Sequence, residues 1–478
     1  MIAQRSRKVK SHSALRWQPA RIQEGKPLLA ATDHGYPVTV PAESFSPPQR
    51  SGSWGPYAEI FLRFNSEALR ALDIQSEVAS NASGVVVKLI PGERAGAAPL
   101  RSGLTGQVAG GLIVEPRFGW AGVGQILHET GWHAAPEFLN LPMVPGSARK
   151  VPPWVLAGPV LARLESLLHS ISPGYRQAEE ILLSPRGRIL WKRYLSHSLV
   201  RGEWHHLPCR FPDLATDPLL RRHIRWALER LHRDLLGAGG SDPVALSLAA
   251  LAIRLIESLA DVTPLMPRRE ELDRRIAGSR ILGEALRRGI EAIAWIVDER
   301  GLGGGNERDG LAWVLPLDKL WESYVESVYR REAADTGGEV RVGRLGETLF
   351  PLNWSDPTHR TLGHLVPDMV IRRGRYVQVV DAKYKAHLAE VDDMGWRRFE
   401  EETREAHRAD LHQILAYASL YEAEEITATL VYPLRYSTYR TLREQHRERS
   451  FAELLHGGRR IRLELRGLPF GMKDSSWE

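Results

Sequence analysis

The stretch LGHLVPDMVIRRGRYVQVVDAKYK, residues 362–385, decides the fold of the C-terminal part of this chain of 478 residues. It contains two apolar runs rich in Val and Ile, LVPDMVI and YVQVVDA, on either side of Arg-Arg-Gly-Arg at 372–375. Two such runs separated by a short glycine-containing segment predict a β-hairpin. Each run carries an acid, since Asp368 follows Pro367 in the first and Asp381 lies at the end of the second.

The two acids and a nearby lysine form a candidate site. Side chains alternate faces along a strand, so Asp381 and Lys383 project to the same side, and a hairpin partner brings Asp368 close to them. Two converging carboxylates suit a hard divalent cation such as Mg²⁺, which takes one or two carboxylates. A buried ion pair that ties the hairpin together is the alternative, but Pro-Asp followed by Asp-x-Lys at the end of an apolar strand favours the metal site.

Composition narrows the class of protein. Lys and Arg total 64 against 58 Asp and Glu, a net charge of +6 that is compatible with a nucleic-acid partner without requiring one. The single cysteine, Cys209, excludes an internal disulfide framework and a cluster held by four thiolates within one chain, and it predicts a cytoplasmic location. The longest apolar stretch, 244–262, is interrupted by charged residues, so no membrane span is predicted.

The first half of the chain is predicted to hold a basic flexible arm at 1–26 and a β-rich partner-interaction domain at 27–145. Residues 84–90 and 110–116 are the clearest strands. Residues 91–111 between them are so rich in glycine that they predict a long loop or a protruding hairpin. An arginine on such a projection, Arg94 or Arg101, would either reach a partner's active site or simply face solvent.

A mainly helical middle domain is predicted at 146–305. Asp217-Pro218 and Ser241-Asp242-Pro243 are helix start signals, and a third helical stretch covers roughly 270–299. The first helix has an arginine-rich face that includes Arg221 and Arg225, which is either a surface that follows DNA phosphates or an ordinary solvated face. The glycine-rich stretch 301–305 marks the last boundary.

The remaining residues, 306–478, are predicted to form an α/β domain. A helix over 320–334 carries Glu322 and Glu326 four residues apart, and either glutamate could reach a metal at the hairpin. A charged segment at 386–409, a helix ending near 421, and strands at 426–433 and 460–467 follow. The predicted fold class is therefore α+β and multi-domain, ending in a mixed sheet flanked by helices.

The order of these motifs resembles the PD-(D/E)XK nuclease core in its RecB-like form. The matching residues are a helix glutamate, Glu322 or Glu326, then Asp368, then Asp381-Ala382-Lys383, and then Gln413 with Tyr417 as Gln-x-x-x-Tyr. The segments LWESYVE, VPDMVI, VVDAKYK and DLHQILAYA are similar to those of the McrC-type nuclease subunits of McrBC-like modification-dependent restriction systems. GLIVEPRFGW (111–120), SPRGRILWKRY (184–194) and residues 207–228 also resemble that family.

The resemblance implies a metal-dependent DNA endonuclease. One or two Mg²⁺, with Mn²⁺ as a substitute, would be held by Asp368, Asp381, the Ala382 carbonyl and Glu322. Lys383 would orient or deprotonate the attacking water, or neutralise charge on phosphorus. Gln413 would hydrogen-bond near the nucleophile, with Tyr417 packed behind it.

The resemblance also implies two partners, double-stranded DNA and an McrB-like AAA+ ring that hydrolyses GTP or ATP. The sequence has no G-x-x-x-x-G-K-[ST] phosphate loop, so the motor would be another chain. Arg94 or Arg101 would stimulate that motor, and Lys385, Arg221 and Arg225 are candidate DNA contacts. A RecB-like repair exonuclease and a non-catalytic DNA-binding activator of an AAA+ partner are the alternative functions.

Overall fold

The computed structural model describes residues 28–41, 55–81, 84–146, 151–171, 174–215, 217–238, 242–278, 283–298, 310–355, 362–385, 401–456 and 459–471. The predicted basic arm and most of the charged segment at 386–409 lie outside the described residues. Contacts divide the chain into two compact units, one formed by residues 1–150 with 308–478 and the other by residues 151–307. None of the described helices is long and apolar enough to cross a membrane.

The N-terminal part of the first unit is built mostly of strands. Its elements are β1 (Leu28–Thr32), β2 (Val38–Pro41), α1 (Gly55–Ala71), β3 (Ile74–Asn81), β4 (Gly84–Pro91), β5 (Arg94–Arg101), β6 (Val108–Glu115), α2 (Gly119–Glu129) and β7 (Glu137–Phe138). Strands β2, β4 and β3 form an antiparallel sheet of three. A five-stranded sheet has the order β1-β6-β5-β11-β7, in which β11 (Trp313–Pro316) comes from far along the chain.

Of the two structures expected for 91–111, the long loop is wrong and the hairpin is present, but the hairpin does not protrude, because its strands β5 and β6 lie inside the five-stranded sheet. Ala95, Ala97 and Ala98 of β5 have no exposed surface. A Cβ on Gly96 would lie 2.4 Å from the Trp313 carbonyl oxygen, so the small residues permit close packing of neighbouring strands. A composition rich in Gly and Ala therefore marks a tightly packed strand in this segment.

Arg94 and Arg101 consequently lie at the two ends of β5 and not on a projecting loop. Arg94 Nη1 donates a hydrogen bond to the Ala71 carbonyl over 3.0 Å, and Arg101 Nη1 donates to the Gly106 carbonyl over 3.1 Å. Both guanidinium groups thus cap carbonyls of their own domain, and their stimulation of a motor stays a prediction.

The second unit contains helices and one small sheet. Its helices are α3 (Pro153–Ser170), the single turn α4 (Trp191–Arg193), α5 (Pro218–Ala238), α6 (Pro243–Glu257), α7 (Arg269–Gly278) and α8 (Glu284–Val297). Strands β8 (Gly174–Leu182), β9 (Arg188–Ile189) and β10 (Leu207–Ala215) form an antiparallel sheet in the order β8-β10-β9. This sheet was not predicted from the sequence.

The predicted helix starts of this unit are confirmed. Asp217 Oδ1 accepts hydrogen bonds from the first backbone amides of α5, and Asp242 Oδ1 does the same for α6. On the arginine-rich face of α5, Arg221 forms a two-bond ion pair with Asp261, and Arg225 donates to the Leu259 and Val262 carbonyls. These side chains hold the segment that follows α6 against α5, so a DNA contact would have to replace or share those bonds.

The C-terminal part of the first unit is a six-stranded mixed sheet with helices. Its strands are β12 (Glu339–Val342), β15 (Met369–Arg373), β16 (Tyr376–Ala382), β17 (Glu425–Leu434), β18 (Arg449–His456) and β19 (Arg459–Pro469), in the order β12-β15-β16-β17-β19-β18. Strands β16, β17 and β19 run parallel, and the other pairs are antiparallel. Strands β13 (Phe350–Pro351) and β14 (His364–Leu365) form a separate pair.

In the described part of this region, three helices accompany the sheet, α9 (Leu317–Thr336), α10 (Glu401–Ser419) and α11 (Tyr436–Glu444). Ile414, Tyr417 and Ala418 of α10 pack against buried residues of β16 and β17. The α9 helix is fixed by Trp321, which has no exposed surface and whose Nε1 donates to the Val431 carbonyl over 3.2 Å. The predicted mixed sheet with flanking helices is therefore present, and its helices are held against the strands that carry the candidate site.

Candidate metal-dependent nuclease site

The predicted hairpin at 362–385 is confirmed as strands β15 and β16. Its two-residue turn contains Gly374 at φ 58°, a conformation that glycine adopts without steric cost. The register pairs Met369 with Val380, so Asp368 and Asp381, one residue beyond that pair on each strand, face each other across the hairpin. The backbone N–H of Ala382 donates to Asp368 Oδ2 over 2.8 Å, which fixes the first carboxylate against the second strand.

A chain of polar contacts continues from Asp381 to helix α10. Lys383 Nζ lies 2.6 Å from Asp381 Oδ2 and donates to Gln413 Oε1 over 2.7 Å. Gln413 Nε2 in turn donates to the Tyr417 hydroxyl over 2.9 Å. The structure thus brings together the residues of the Asp-x-Lys and Gln-x-x-x-Tyr motifs, although Lys383 and Gln413 are 30 residues apart in the sequence.

The two candidate glutamates of α9 have different surroundings. Glu322 accepts hydrogen bonds from Lys319 Nζ over 2.8 and 2.9 Å, and it repels the carboxylates of Asp368 and Asp381 electrostatically. Glu326 is instead held by two guanidinium groups, those of Arg330 and Arg344. Glu322 therefore shares the electrostatic environment of the two aspartates, whereas the charge of Glu326 is neutralised by Arg330 and Arg344.

A cavity of about 290 Å³ opens beside these carboxylates. Its walls come from α9, from the turn after β12, and from both strands of the hairpin. Glu322, Asp368 and Ala382 line it, together with Lys319 and Arg344. Acidic and basic groups therefore face the same small volume, as a site for a phosphate group and a metal ion requires.

Burial and mutual repulsion shift the ionisation of these groups. Desolvation raises the pKa of Asp368 well above its ordinary value, and the charges of Asp381 and Glu322 raise it further. Desolvation also raises the pKa of Glu322, against the opposing effect of Lys319. Burial opposes the charge on Lys383, but Asp381 outweighs it and the pKa of the ammonium is raised. Lys383 is consequently a cation at neutral pH.

The donor set fits a magnesium ion that keeps part of its water shell. Asp381 is 3% exposed, and its Oδ2 makes no hydrogen bond even though Lys383 Nζ is close. Among the described residues no group of three or more His, Cys, Asp or Glu side chains is arranged to enclose a metal. Mg²⁺ needs only one or two carboxylates and fills its other positions with water and phosphate oxygens, so Asp368 and Asp381 suffice.

Lys385, a predicted DNA contact, is bound to Asp410 of α10. Its Nζ donates to both carboxylate oxygens, over 2.8 and 3.0 Å. Asp410 is 4% exposed and lies 3.9 Å from Lys383 Nζ. The sequence interpretation did not select Asp410, although its position three residues before Gln413, on the same helix, is a signal that could have indicated it.

A second group that the sequence did not reveal joins the N-terminal sheet to the Asp-x-Lys segment. Asp33, which follows β1 and has no exposed surface, accepts a hydrogen bond of 2.9 Å from the Tyr384 hydroxyl. Its Oδ2 also lies 3.5 Å from Arg117 Nε. Arg117 Nη2 donates to the Tyr384 carbonyl over 3.3 Å, and the guanidinium stacks 4.6 Å above the Tyr384 ring. The residue after Lys383 is therefore held by side chains of the N-terminal sheet.

The raised pKa of Asp368 has a testable consequence. The carboxyl group of Asp368 binds its proton more tightly in the folded protein than in the unfolded chain. Protonation of Asp368 therefore stabilises the fold fully below the unfolded pKa of about 4, and this contribution is lost as the pH rises through the folded pKa. We expect Asp368→Asn to raise the melting temperature of the metal-free protein by roughly 2–4 °C above neutral pH. The difference from wild type should shrink as the pH is lowered through the folded pKa.

Millimolar Mg²⁺ should raise the melting temperature of the wild type but hardly change that of Asp368→Asn, which differential scanning calorimetry can measure. Asp335→Asn, an exposed aspartate on α9, is the matched control and should respond to Mg²⁺ as wild type does. Equal melting temperatures of wild type and Asp368→Asn at every pH would show that burial of the ionised Asp368 carboxylate does not destabilise the fold.

Comparison with known proteins gives one family. The family model described as "McrBC 5-methylcytosine restriction system component" matches residues 161–433. No curated protein sequence matches the chain.

Two solved structures are similar in outline. One is a half-complex from a tetradecameric assembly of Thermococcus gammatolerans McrB AAA+ hexamers with bound McrC, with 14% identity, a TM-score of 0.39, and coverage of 92% of this chain and 94% of that one. The other is the McrBC complex of the same organism, with 14% identity, a TM-score of 0.27, and coverage of 64% and 87%. At these TM-scores the likeness supports no conclusion, so the assignment depends on the family match.

Proposed function

Because this chain belongs to the McrBC family of 5-methylcytosine restriction system components, we propose that it is the McrC-type nuclease subunit of such a system. In this proposal the chain cleaves phosphodiester bonds of double-stranded DNA with Mg²⁺ when it is coupled to an AAA+ motor. The observation that carries the proposal is that Asp368 is bonded to the Asp381-Ala382-Lys383 strand and that contacts run from Asp381 through Lys383 to Gln413. Of these residues Asp368 lines the cavity, together with Glu322.

Asp368 and Asp381 would hold the metal, with the Ala382 carbonyl and Glu322 as further ligands. Bound Mg²⁺ would polarise the scissile phosphate and supply a water of lowered pKa. The hydrogen bond from Ala382 N leaves Asp368 Oδ1 and the carboxylate of Asp381 as ligand atoms. For Glu322 to become a ligand, it would have to release or share Lys319, which would then be free to approach a phosphate oxygen.

Lys383 acts in this proposal as a fixed cation. Its ammonium is charged at neutral pH because Asp381 raises its pKa, so it donates hydrogen bonds and does not accept the proton of the attacking water. Gln413 holds it from the side of α10, and the Tyr417 hydroxyl is bonded to Gln413. This chain of contacts restricts Lys383 to the neighbourhood of the carboxylates, where it would stabilise negative charge that develops on the phosphate.

The proposed partner is an AAA+ ring of the McrB type. The sequence of this chain lacks a phosphate loop, so nucleotide hydrolysis would belong to the partner. We base this pairing on the family match, and the Thermococcus gammatolerans assembly of McrB AAA+ hexamers with bound McrC is an example of such a pairing in another organism.

Reconstitution tests the proposal. We expect the purified chain alone to cut methylated duplex DNA only slightly, and to cut it rapidly when the motor, its nucleotide and Mg²⁺ are all present. Addition of the chain should also raise the rate of nucleotide hydrolysis by the motor, measured as released phosphate. Unchanged hydrolysis would contradict the partnership, while stimulated hydrolysis without cleavage would favour a non-catalytic activator.

A further inference from the structure

A short helical turn at Gly343–Leu345, after β12, stands beside the cavity of the candidate site. One hydrogen bond attaches the turn itself to the Pro-Asp motif, from Gly343 N to the Asp368 carbonyl over 2.8 Å. A second comes from Thr348, three residues after the turn, whose Oγ1 donates to the Pro367 carbonyl over 2.6 Å. A Cβ on Gly343 would lie 2.6 Å from the Pro367 carbonyl oxygen, so this approach requires glycine. The motif residues that begin the site therefore also fix this turn.

The turn presents Arg344 to the cavity. The Nε and Nη2 atoms of Arg344 donate to the two carboxylate oxygens of Glu326, over 2.7 and 2.8 Å. Its Nη1 has no hydrogen-bond partner among the described residues, and 41% of the side chain is exposed. The edge of the guanidinium formed by Nε and Nη2 is thus fixed by Glu326, while the edge that carries Nη1 is available to a ligand.

The charge around Arg344 favours an anion. Glu326 is buried and lies between two guanidinium groups, because Arg330 Nε also donates to its Oε1 over 2.8 Å. Glu326 can neutralise only one of the two arginines, although the charge of Glu347 also acts on Arg344. Lys319 lines the same cavity from α9. Two cations therefore border a volume whose other lining includes the acids Glu322 and Asp368.

We propose that Arg344 binds a phosphate of the DNA backbone next to the scissile phosphate, and that Glu326 is the positioning residue that orients it. The inference rests on the proposed nuclease function, since the DNA strand must enter this cavity. A guanidinium is planar and matches phosphate oxygens with two parallel N–H donors, so fixing one edge on a carboxylate aims the other edge. In this proposal Glu326 orients the arginine that binds the DNA phosphate, while Glu322 lies beside the aspartates that would bind the metal.

The competing explanation is an ion pair that only fastens the turn to α9. A fastening role predicts lower stability when Arg344 is removed, but no change in the salt dependence of DNA binding. A phosphate contact releases counterions, so its loss makes the slope of log K against log salt concentration shallower by about 1. The salt slope therefore separates the two roles.

The experiment measures binding of the full chain to a fluorescein-labelled duplex by anisotropy, over a series of salt concentrations, with Ca²⁺ replacing Mg²⁺. We expect Arg344→Ala to weaken binding about five- to tenfold near 0.1 M salt and to reduce the slope by about 1. Arg344→Lys should keep the slope with intermediate affinity. Arg341→Ala, an exposed arginine of β12 paired with Glu339 and not lining the cavity, should bind as wild type.

Two glutamate variants test the division of roles without measuring cleavage. Glu326→Gln should weaken DNA binding in the same direction as Arg344→Ala, yet keep the rise in melting temperature on addition of Mg²⁺. Glu322→Gln should reduce that rise, because it removes a carboxylate on the metal side of the cavity. If Arg344→Ala does not fold, Arg344→Lys and Glu326→Gln decide the question, because the first keeps the positive charge without the planar guanidinium and the second keeps the size of the side chain without its charge.

Three results would overturn the inference. They are an unchanged affinity and salt slope in Arg344→Ala, loss of the Mg²⁺ response in Glu326→Gln, and no detectable duplex binding by the wild-type chain at low salt. Failure of the nuclease proposal looks different, since the wild-type chain with its motor would then not cut DNA, or Asp381→Asn would cut it as well as wild type does. If Asp381→Asn is inactive and Arg344→Ala binds as wild type, only the phosphate role of Arg344 is wrong.

Discussion

If this chain has the proposed function, cleavage of methylated DNA in the presence of the proposed AAA+ motor is expected to fall at least about 100-fold when Asp381 is replaced by asparagine. Asp381 is almost fully buried, has an oxygen without a hydrogen bond, and faces Asp368 across the hairpin. Asparagine keeps the volume but removes the negative charge that a metal ion needs. It also removes the counter-charge of Lys383, whose ammonium then lies near the metal without its neighbour.

The measurement is the initial rate of duplex cleavage at saturating nucleotide and Mg²⁺, with motor hydrolysis recorded in the same samples. Hydrolysis should remain near the wild-type level in Asp381→Asn, because the variant changes the cleavage site and keeps the fold. Asp335→Asn, on the exposed side of α9, should cut as wild type. Cleavage by Asp381→Asn within about threefold of wild type would refute the assignment of this carboxylate, since a lost metal ligand costs far more.

The largest effect on stability is expected at Asp33. Its replacement by alanine should destabilise the unit formed by residues 1–150 and 308–478 by about 3–5 kcal/mol, because Arg117 and the Tyr384 hydroxyl lose their buried partner. The Nε atom of Arg117 is already buried without a hydrogen bond, so the carboxylate is what compensates its charge. Urea denaturation followed by tryptophan fluorescence would show the loss as a lower midpoint.

Asp261→Ala is the control for this change. Asp261 also pairs with an arginine, Arg221, through two hydrogen bonds, but 59% of its side chain is exposed. Exposed ion pairs contribute about 0–1 kcal/mol, so this variant should hardly shift the midpoint. Equal effects of the two alanine variants would mean that the buried group of Asp33, Arg117 and Tyr384 has no special importance for the fold.

The same group relates stability to the proposed chemistry. Tyr384 directly follows Lys383, and Arg117 bonds its carbonyl while stacking on its ring. The backbone is therefore fixed at Lys383 and at the residue after it. The N–H of Lys383 donates to the Val431 carbonyl, and the carbonyl of Tyr384 accepts a hydrogen bond from Arg117. Loss of Asp33 should for this reason also reduce cleavage in the fraction of molecules that remain folded.

The sequence predicted the hairpin at 362–385 because alternation of apolar side chains and a glycine turn are local signals. It predicted the starts of α5 and α6 for the same reason, since Asp217 and Asp242 cap amides within three residues of themselves. The order of the short motifs was enough to indicate the McrBC family, and the family match confirms that resemblance.

The sequence was misleading where local composition has two structural explanations. Glycine and alanine at 91–111 fit a loop, but they fit equally well a strand packed closely between two others. The arginines of α5 fit a phosphate-binding face, but Arg221 and Arg225 are bonded to groups about 35–40 residues away. Neither outcome is visible in a window of a few residues.

What the sequence alone determined is the hairpin, the starts of α5 and α6, and the family to which the chain belongs, because each of these signals is a short motif of residues near one another along the chain. Only the tertiary structure decided which glutamate faces the aspartates, since Glu322 and Glu326 differ in their neighbours and not in their own chemistry. It also decided that Asp33 supports Tyr384, 351 residues away. The ionisation and desolvation of a buried group depend on the residues around it in space, and those residues are brought together only when the chain folds.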